Sequence, residues 1–181
     1  MPAAPTTRTL SGLAAAALLT ALLAGCGGAS APPAPPRSAD ALRSEASRLV
    51  GGGRSAFDRQ LATLRGTPVV VNQWAHWCGP CRFEFPFFAR LADKYRGRVA
   101  FLGVNSRDET AGARRFLKSF PVPYPSFEDP DAAIARSFRG GRNFPTTAYY
   151  DARGKLVETH QGAYASEGAL EQDVRAIAQR H

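Results

Sequence analysis

Residues 69–86 read VVVNQWAHWCGPCRFEFP, and this junction constrains the fold more than any other part of the chain. The run Val69-Val70-Val71 is β-branched and apolar without alternation, the pattern of a strand buried on both faces. It leads through Trp74 and Trp77 into Cys78-Gly79-Pro80-Cys81. From Pro80 onward, FEFPFFARLADKYRG reads as a long helix that ends at Gly97, with Pro86 expected to kink it. Proline suits the first helical turn, because the donor it lacks would have no partner there.

Further elements follow at short spacing. VAFLGVN, 99–105, reads as a second buried strand, and DETAGARRFLKSF, 108–120, as an amphipathic helix with an acidic first turn and a basic last turn. PVPYPSFEDP is expected to be a loop and DAAIARSF a short helix. TTAYYDARGKLVETHQG, 146–162, reads as two strands joined by a turn at Ala152-Arg153-Gly154, and Ser166 caps a last helix over SEGALEQDVRAIAQR. Before the first strand, 41–50 and 56–64 each carry apolar residues at helical spacing, with Gly51-Gly52-Gly53 between them. Helical crossovers make the first two strands parallel, and the last two are antiparallel. The expectation is an α/β fold with a mixed central sheet of four to five strands and helices on both faces.

A dithiol at this spacing has three uses: a metal site, a structural disulfide, or thiol–disulfide exchange. Zinc asks for about four ligands, whereas beside this pair the chain offers only His76, His160 and His181. A structural disulfide closing so short a loop adds little stability. Exchange fits the placement best. At a helix start, free N–H groups and the helix dipole stabilise a thiolate, which is the attacking species. That makes Cys78 the nucleophile and Cys81, a turn further on and more buried, the sulfur that resolves a mixed disulfide.

WCGPC after an apolar strand resembles the thioredoxin superfamily, and Phe144-Pro145-Thr146 resembles that fold's proline loop. The resemblance implies a thioredoxin-like fold with a cis peptide at Pro145, beside the dithiol. It also implies that the backbone of Phe144 pairs with a substrate polypeptide, on a surface completed by Trp77, Gly79 and Pro80, and that metal is excluded. Thioredoxin has an aspartate beneath the dithiol where this chain has Asn72, so that proton relay is missing. VNQWAHWCGPCRFEFP instead resembles the TlpA/ResA-type membrane-tethered thiol–disulfide oxidoreductases, which carry C-x-x-E-x-P after the dithiol. Glu84 matches that glutamate and is implied to accept the Cys81 proton or tune its pKa. The insert from Ser106 to Arg142 and the stretch after Pro145 also resemble this group, so the likeness covers about 55–181. Gln73, where an aromatic is commoner, and His76 depart from the pattern. A peroxiredoxin-like peroxidase would need a Pro-x-x-x-Thr loop before its cysteine, and NQWAHWC has none. A binding module that holds copper through the dithiol is the non-enzymatic alternative.

The first 25 residues carry Arg8 and then a mainly apolar run from Leu10 to Ala24, the plan of an export signal. Leu23-Ala24-Gly25-Cys26 resembles the lipobox of bacterial lipoproteins, which implies cleavage before Cys26 and acylation of its thiol. Residues 26–40 then form a Pro-rich spacer, and 41–181 the thioredoxin-like domain. The expected location is the extracytoplasmic side of the cell membrane, held by the lipid. The net charge of +8 comes from scattered arginines, 20 against 3 lysines, with no run longer than Arg114-Arg115, which speaks against nucleic acid. The expected partners are protein thiols and disulfides and a membrane electron donor or acceptor. No cofactor is needed, and the domain is expected to be monomeric. Gly-Pro between the cysteines leans toward the reducing direction, as in partners of cytochrome c maturation, although an exported setting also suits disulfide formation.

Overall fold

The computed structural model describes residues 41–180. The export signal, Cys26 and the spacer expected from the sequence lie outside these residues. The elements in chain order are β1 (Leu49–Val50), α1 (Gly53–Thr63), β2 (Val69–Trp74), α2 (Gly79–Lys94), β3 (Ala100–Ser106), α3 (Thr110–Ser119), β4 (Ser126–Asp129), α4 (Ala133–Ser137), β5 (Thr146–Tyr150), β6 (Leu156–Gln161) and α5 (Glu167–Ala178). No helix among the described residues is long and apolar enough to cross a membrane.

One six-stranded sheet runs in the order β1-β4-β3-β2-β5-β6. β2, β3, β4 and β1 are parallel, β5 runs antiparallel to β2, and β6 runs antiparallel to β5 and so in the direction of β2. β2 lies between β3 and β5 and is buried along its whole length. Its alternation sorts the core into two layers. Val70 and Trp74 join Phe85, Phe88 and Leu91 of α2, Phe116 and Leu117 of α3, and Leu170 and Val174 of α5. Val69 and Val71 face the other way, onto Phe57 of α1 and Ile134, Ala135 and Phe138 around α4. Helices thus cover both faces, as expected, but the sheet has six strands rather than four to five.

The two extra strands correct two sequence expectations. PVPYPSFEDP contains β4, which pairs with β3 through Gly103↔Ser126 and Val104↔Phe127. Prolines at 121, 123, 125 and 130 bracket it, and those prolines signalled a loop. The expected helix over 41–50 stops as a 3-10 turn at Glu45. Ser47 then takes φ 53. Its N–H donates to the carbonyls of Val122 and Tyr124 at 3.0 and 3.1 Å, and Leu49-Val50 adds to the sheet beside β4. Long-range pairing outweighs local helical spacing here. The first turn of α3 holds no acid, because Glu109 sits at its N-cap and Asp108 before that. Pro86 lies inside an unbroken α2.

Close approach fixes one glycine. A Cβ on Gly103 would lie 2.1 Å from Ser126 Oγ and 3.0 Å from Trp74 Nε1. The indole N–H donates to that hydroxyl at 3.1 Å, so β2, β3 and β4 are pinned together under the dithiol end of β2. Phe57 provides a test of the opposite layer, since it is fully buried edge-on to Phe127 at 5.6 Å between centroids. Phe57→Ala is expected to cost about 3–5 kcal/mol in urea unfolding, with the reactivity of the dithiol unchanged in the folded protein.

Candidate active site

β2 ends at Trp74 and the chain crosses to α2 in four residues, so whatever stands at the start of α2 stands at the centre of the sheet's edge. Cys78 is the N-cap of α2, with φ −82 and ψ 105, and its Sγ accepts the N–H of Cys81 at 3.1 Å. The two cysteines are joined as a disulfide with their Cα atoms 5.3 Å apart. Cys81 is fully buried and Cys78 nearly so, while Gly79 and Pro80 between them are exposed. Pro80 stands at the second helical position, where no N–H is required.

Beneath the dithiol, Glu84 lies one turn after Cys81 with 0% of its surface exposed. Asn72 Nδ2 on β2 donates to Glu84 Oε1 at 2.9 Å, and the backbone N–H of Tyr164 donates to Oε2 at 3.0 Å. Burial outweighs these two donors and raises the Glu84 pKa to about 7. The carboxyl missing from β2 is therefore supplied by α2, and Asn72 serves as its partner. Tyrosines wall the cluster. Tyr149 and Tyr164 share a hydrogen bond of 2.7 Å between hydroxyls, and the Tyr164 hydroxyl donates to Asp173.

The Phe144–Pro145 peptide is cis. Phe144 packs on the cluster that holds both cysteines, and its ring centroid lies 4.8 Å from that of Trp77. Trp77 is 53% exposed and its indole N–H donates to the Arg107 carbonyl at 3.1 Å. The structure thus brings together Trp77, Cys78, Gly79, Pro80, Cys81, Glu84, Phe144 and Pro145. Trp74 is fully buried against Phe85 and Phe116, in the apolar cluster that also holds both cysteines.

Two residues escaped notice in the sequence. Asp108 accepts from the His76 backbone N–H at 2.7 Å and from Asn105 Nδ2 at 2.6 Å, and its carboxylate meets the His76 ring nitrogen Nδ1. It anchors the stretch just before Cys78 to the end of β3. Tyr164 acts on Glu84 through its backbone, for which no side-chain signal exists. His76 itself lies over Gly112, whose absent Cβ would sit 2.6 Å from the ring.

A disulfide that caps a central helix beside a cis-proline, on a sheet of this order, defines a class, the thioredoxin-like thiol–disulfide oxidoreductases. The model of the Redoxin family matches residues 48–175, and the chain belongs to that family. It is similar to the thiol:disulfide interchange protein DsbE of Pseudomonas fluorescens biotype C, with 35% identity over 126 residues, 64% of this chain and 68% of that protein. With the thiol-disulfide oxidoreductase ResA of Bacillus subtilis strain 168 it shares 30% identity over 104 residues, 57% of this chain and 58% of that one. The crystal structure of a putative thiol:disulfide interchange protein DsbE from Chlorobium tepidum superposes with a TM-score of 0.60 at 31% identity, over 65% of this chain and 84% of that one.

Glu84 gives the fold a pH signature. Its folded pKa of about 7 lies above the ordinary carboxyl value of 4.5, so the folded state holds a proton that the unfolded state has released between those values. Stability is highest at the acid side of this window and falls as pH rises through about 7, by about 3 kcal/mol in all. In urea titrations between pH 5 and pH 8, Glu84→Gln is expected to flatten this slope.

Proposed function

We propose that this protein exchanges disulfides with polypeptide substrates on the extracytoplasmic side of a membrane, to which an acylated Cys26 tethers it, with reduction of substrate as the favoured direction. The observation that carries this reading is Cys78 at the N-cap of α2, next to the cis-proline and linked to Cys81. In the dithiol form, the Cys78 thiolate attacks one sulfur of a substrate disulfide, and the other sulfur leaves with the electron pair and takes up a proton. The Cys81 thiol then passes its proton to the Glu84 carboxylate and attacks Cys78 Sγ. That step closes the Cys78–Cys81 disulfide and releases the substrate's second sulfur as a thiolate. A group with a pKa of about 7 has both of its forms populated near neutrality, which suits a proton acceptor that must also be recharged.

Trp77, Gly79, Pro80, Phe144 and Pro145 form the docking surface. Substrate backbone pairs with that of Phe144, and the exposed Trp77 ring offers apolar contact. Regeneration of the dithiol requires an external dithiol donor at the membrane. The relatives named DsbE and ResA support exchange with protein thiols, and the lipobox-like LAGC supports the tether.

Three measurements test this. Cys78→Ser is expected to abolish insulin reduction, whereas Cys81→Ser traps a mixed disulfide that non-reducing electrophoresis resolves; a fully active Cys78→Ser would end the mechanism. The reduction potential of the pair is expected at about −270 mV, as for a reductant, and a value of about −120 mV would reverse the direction. Cys26→Ala is expected to move the protein from the membrane to the soluble fraction of its host.

A further inference from the structure

We propose that Gln73 is a positioning residue for peptide recognition: its buried amide oxygen fixes the loop that presents Phe144 and Pro145, and so sets how well a polypeptide docks beside the dithiol. This rests on the reading that polypeptides dock at Phe144. Gln73 lies on β2 five residues before Cys78 and faces the layer that holds Val69 and Val71. It is fully buried, an unusual place for a primary amide. Its Oε1 accepts the N–H of Gly141 at 3.0 Å, and its Nε2 has no partner among the described residues. The amide is therefore held for its acceptor, at the cost of a donor left without a bond.

Local backbone bonds hold the start of the loop that receives this bond, from Arg139 N–H to the Arg136 carbonyl at 3.2 Å and from Gly140 N–H to the Ala135 carbonyl at 2.8 Å. Arg139 takes φ of 67, backbone that residues other than glycine rarely adopt, and Gly141 takes φ of 92. A Cβ on Gly140 would lie 2.3 Å from Gln73 Oε1, so the loop approaches the amide as closely as backbone can. Other side-chain ties to this loop come from β5 and β6: Thr146 Oγ1 donates to the Asn143 carbonyl at 3.0 Å, Gln161 Nε2 to the Arg139 carbonyl at 3.1 Å, and Thr159 Oγ1 to that of Phe138. Gln73 alone among these ties belongs to the strand that leads to Cys78. Directly after the loop, Thr146 pairs with Gln73 in the antiparallel register of β2 and β5. The same residue thus sets the cis-proline segment against the dithiol both through its backbone and through its side chain.

The test uses the full chain, Gln73→Met, Gly140→Ala and Gln73→Glu. Each is assayed with a disulfide-bonded fluorogenic peptide and, separately, for reduction of its own disulfide by dithiothreitol. Gln73→Met removes the acceptor and Gly140→Ala forces it away, so both are expected to raise KM for the peptide about tenfold, the factor for one lost hydrogen bond. Their kcat and dithiothreitol rates stay within about twofold of the parent. Gln73→Glu keeps an acceptor oxygen and is expected to restore KM. An unchanged KM in Gln73→Met, a failure of Gln73→Glu to restore it, or an equal fall of peptide and dithiothreitol rates overturns the proposal. If Gln73→Met does not fold, Gly140→Ala and Gln73→Glu decide on the same criteria. A parent protein that turns over no peptide while dithiothreitol reduces it would instead overturn the exchange reading itself.

Discussion

The first turn of α2 is the constraint on which the rest of the molecule depends. A helix start leaves backbone N–H groups without helical partners, and here the side chain that answers one of them is a sulfur. The cap is therefore both structural and chemical. Its position follows from β2, which is central in the sheet, buried on both faces, and ends four residues before the helix begins. Packing of Phe85, Phe88 and Leu91 holds the helix axis, while Trp74 beneath is fastened to Ser126 across a glycine that leaves room for it. Those apolar contacts leave the cap little freedom to move.

The second organising feature is a buried carboxyl where apolar packing would be more stabilising. Glu84 has two donors, one from a side chain on β2 and one from the backbone at Tyr164, yet burial still favours its protonated form. A fully paired acid would stay ionised and a fully apolar site would hold no acid at all. The partial pairing seen here leaves the group poised between its two states, which destabilises the fold at higher pH and suits a proton relay. Asp108 plays the opposite part. With three backbone and side-chain donors from His76 and Asn105 converging on it, its role is to hold the approach to Cys78 in place.

Much of this was legible in the sequence because it rests on local chemistry. β2, β3, the β5–β6 hairpin and the four longer helices follow from apolar runs, glycines and caps, as with Ser166 accepting from Ala169 N–H at the start of α5. The dithiol, its cap position and the proline loop were readable from WCGPC and Phe144-Pro145. β1 and β4 were not, since two and four residues have too little pattern and exist only through their neighbours. The environment of Glu84 was hidden for a similar reason. Helical spacing placed it near Cys81, but its burial depends on a backbone eighty residues away in sequence. The meaning of Gln73 needed Gly140 and Gly141 in space, because an amide in a strand says nothing alone about which loop it meets.

The burial of Cys81 has a consequence for traffic through the protein. Only the sulfur at the helix cap comes near the surface, so electrons have a single port of entry and exit. Small diffusing oxidants must queue at the same doorway as large partners, and whatever fits the aromatic threshold around it gains priority. Selectivity in such a device is a matter of admission to one atom rather than of the intrinsic reactivity of two.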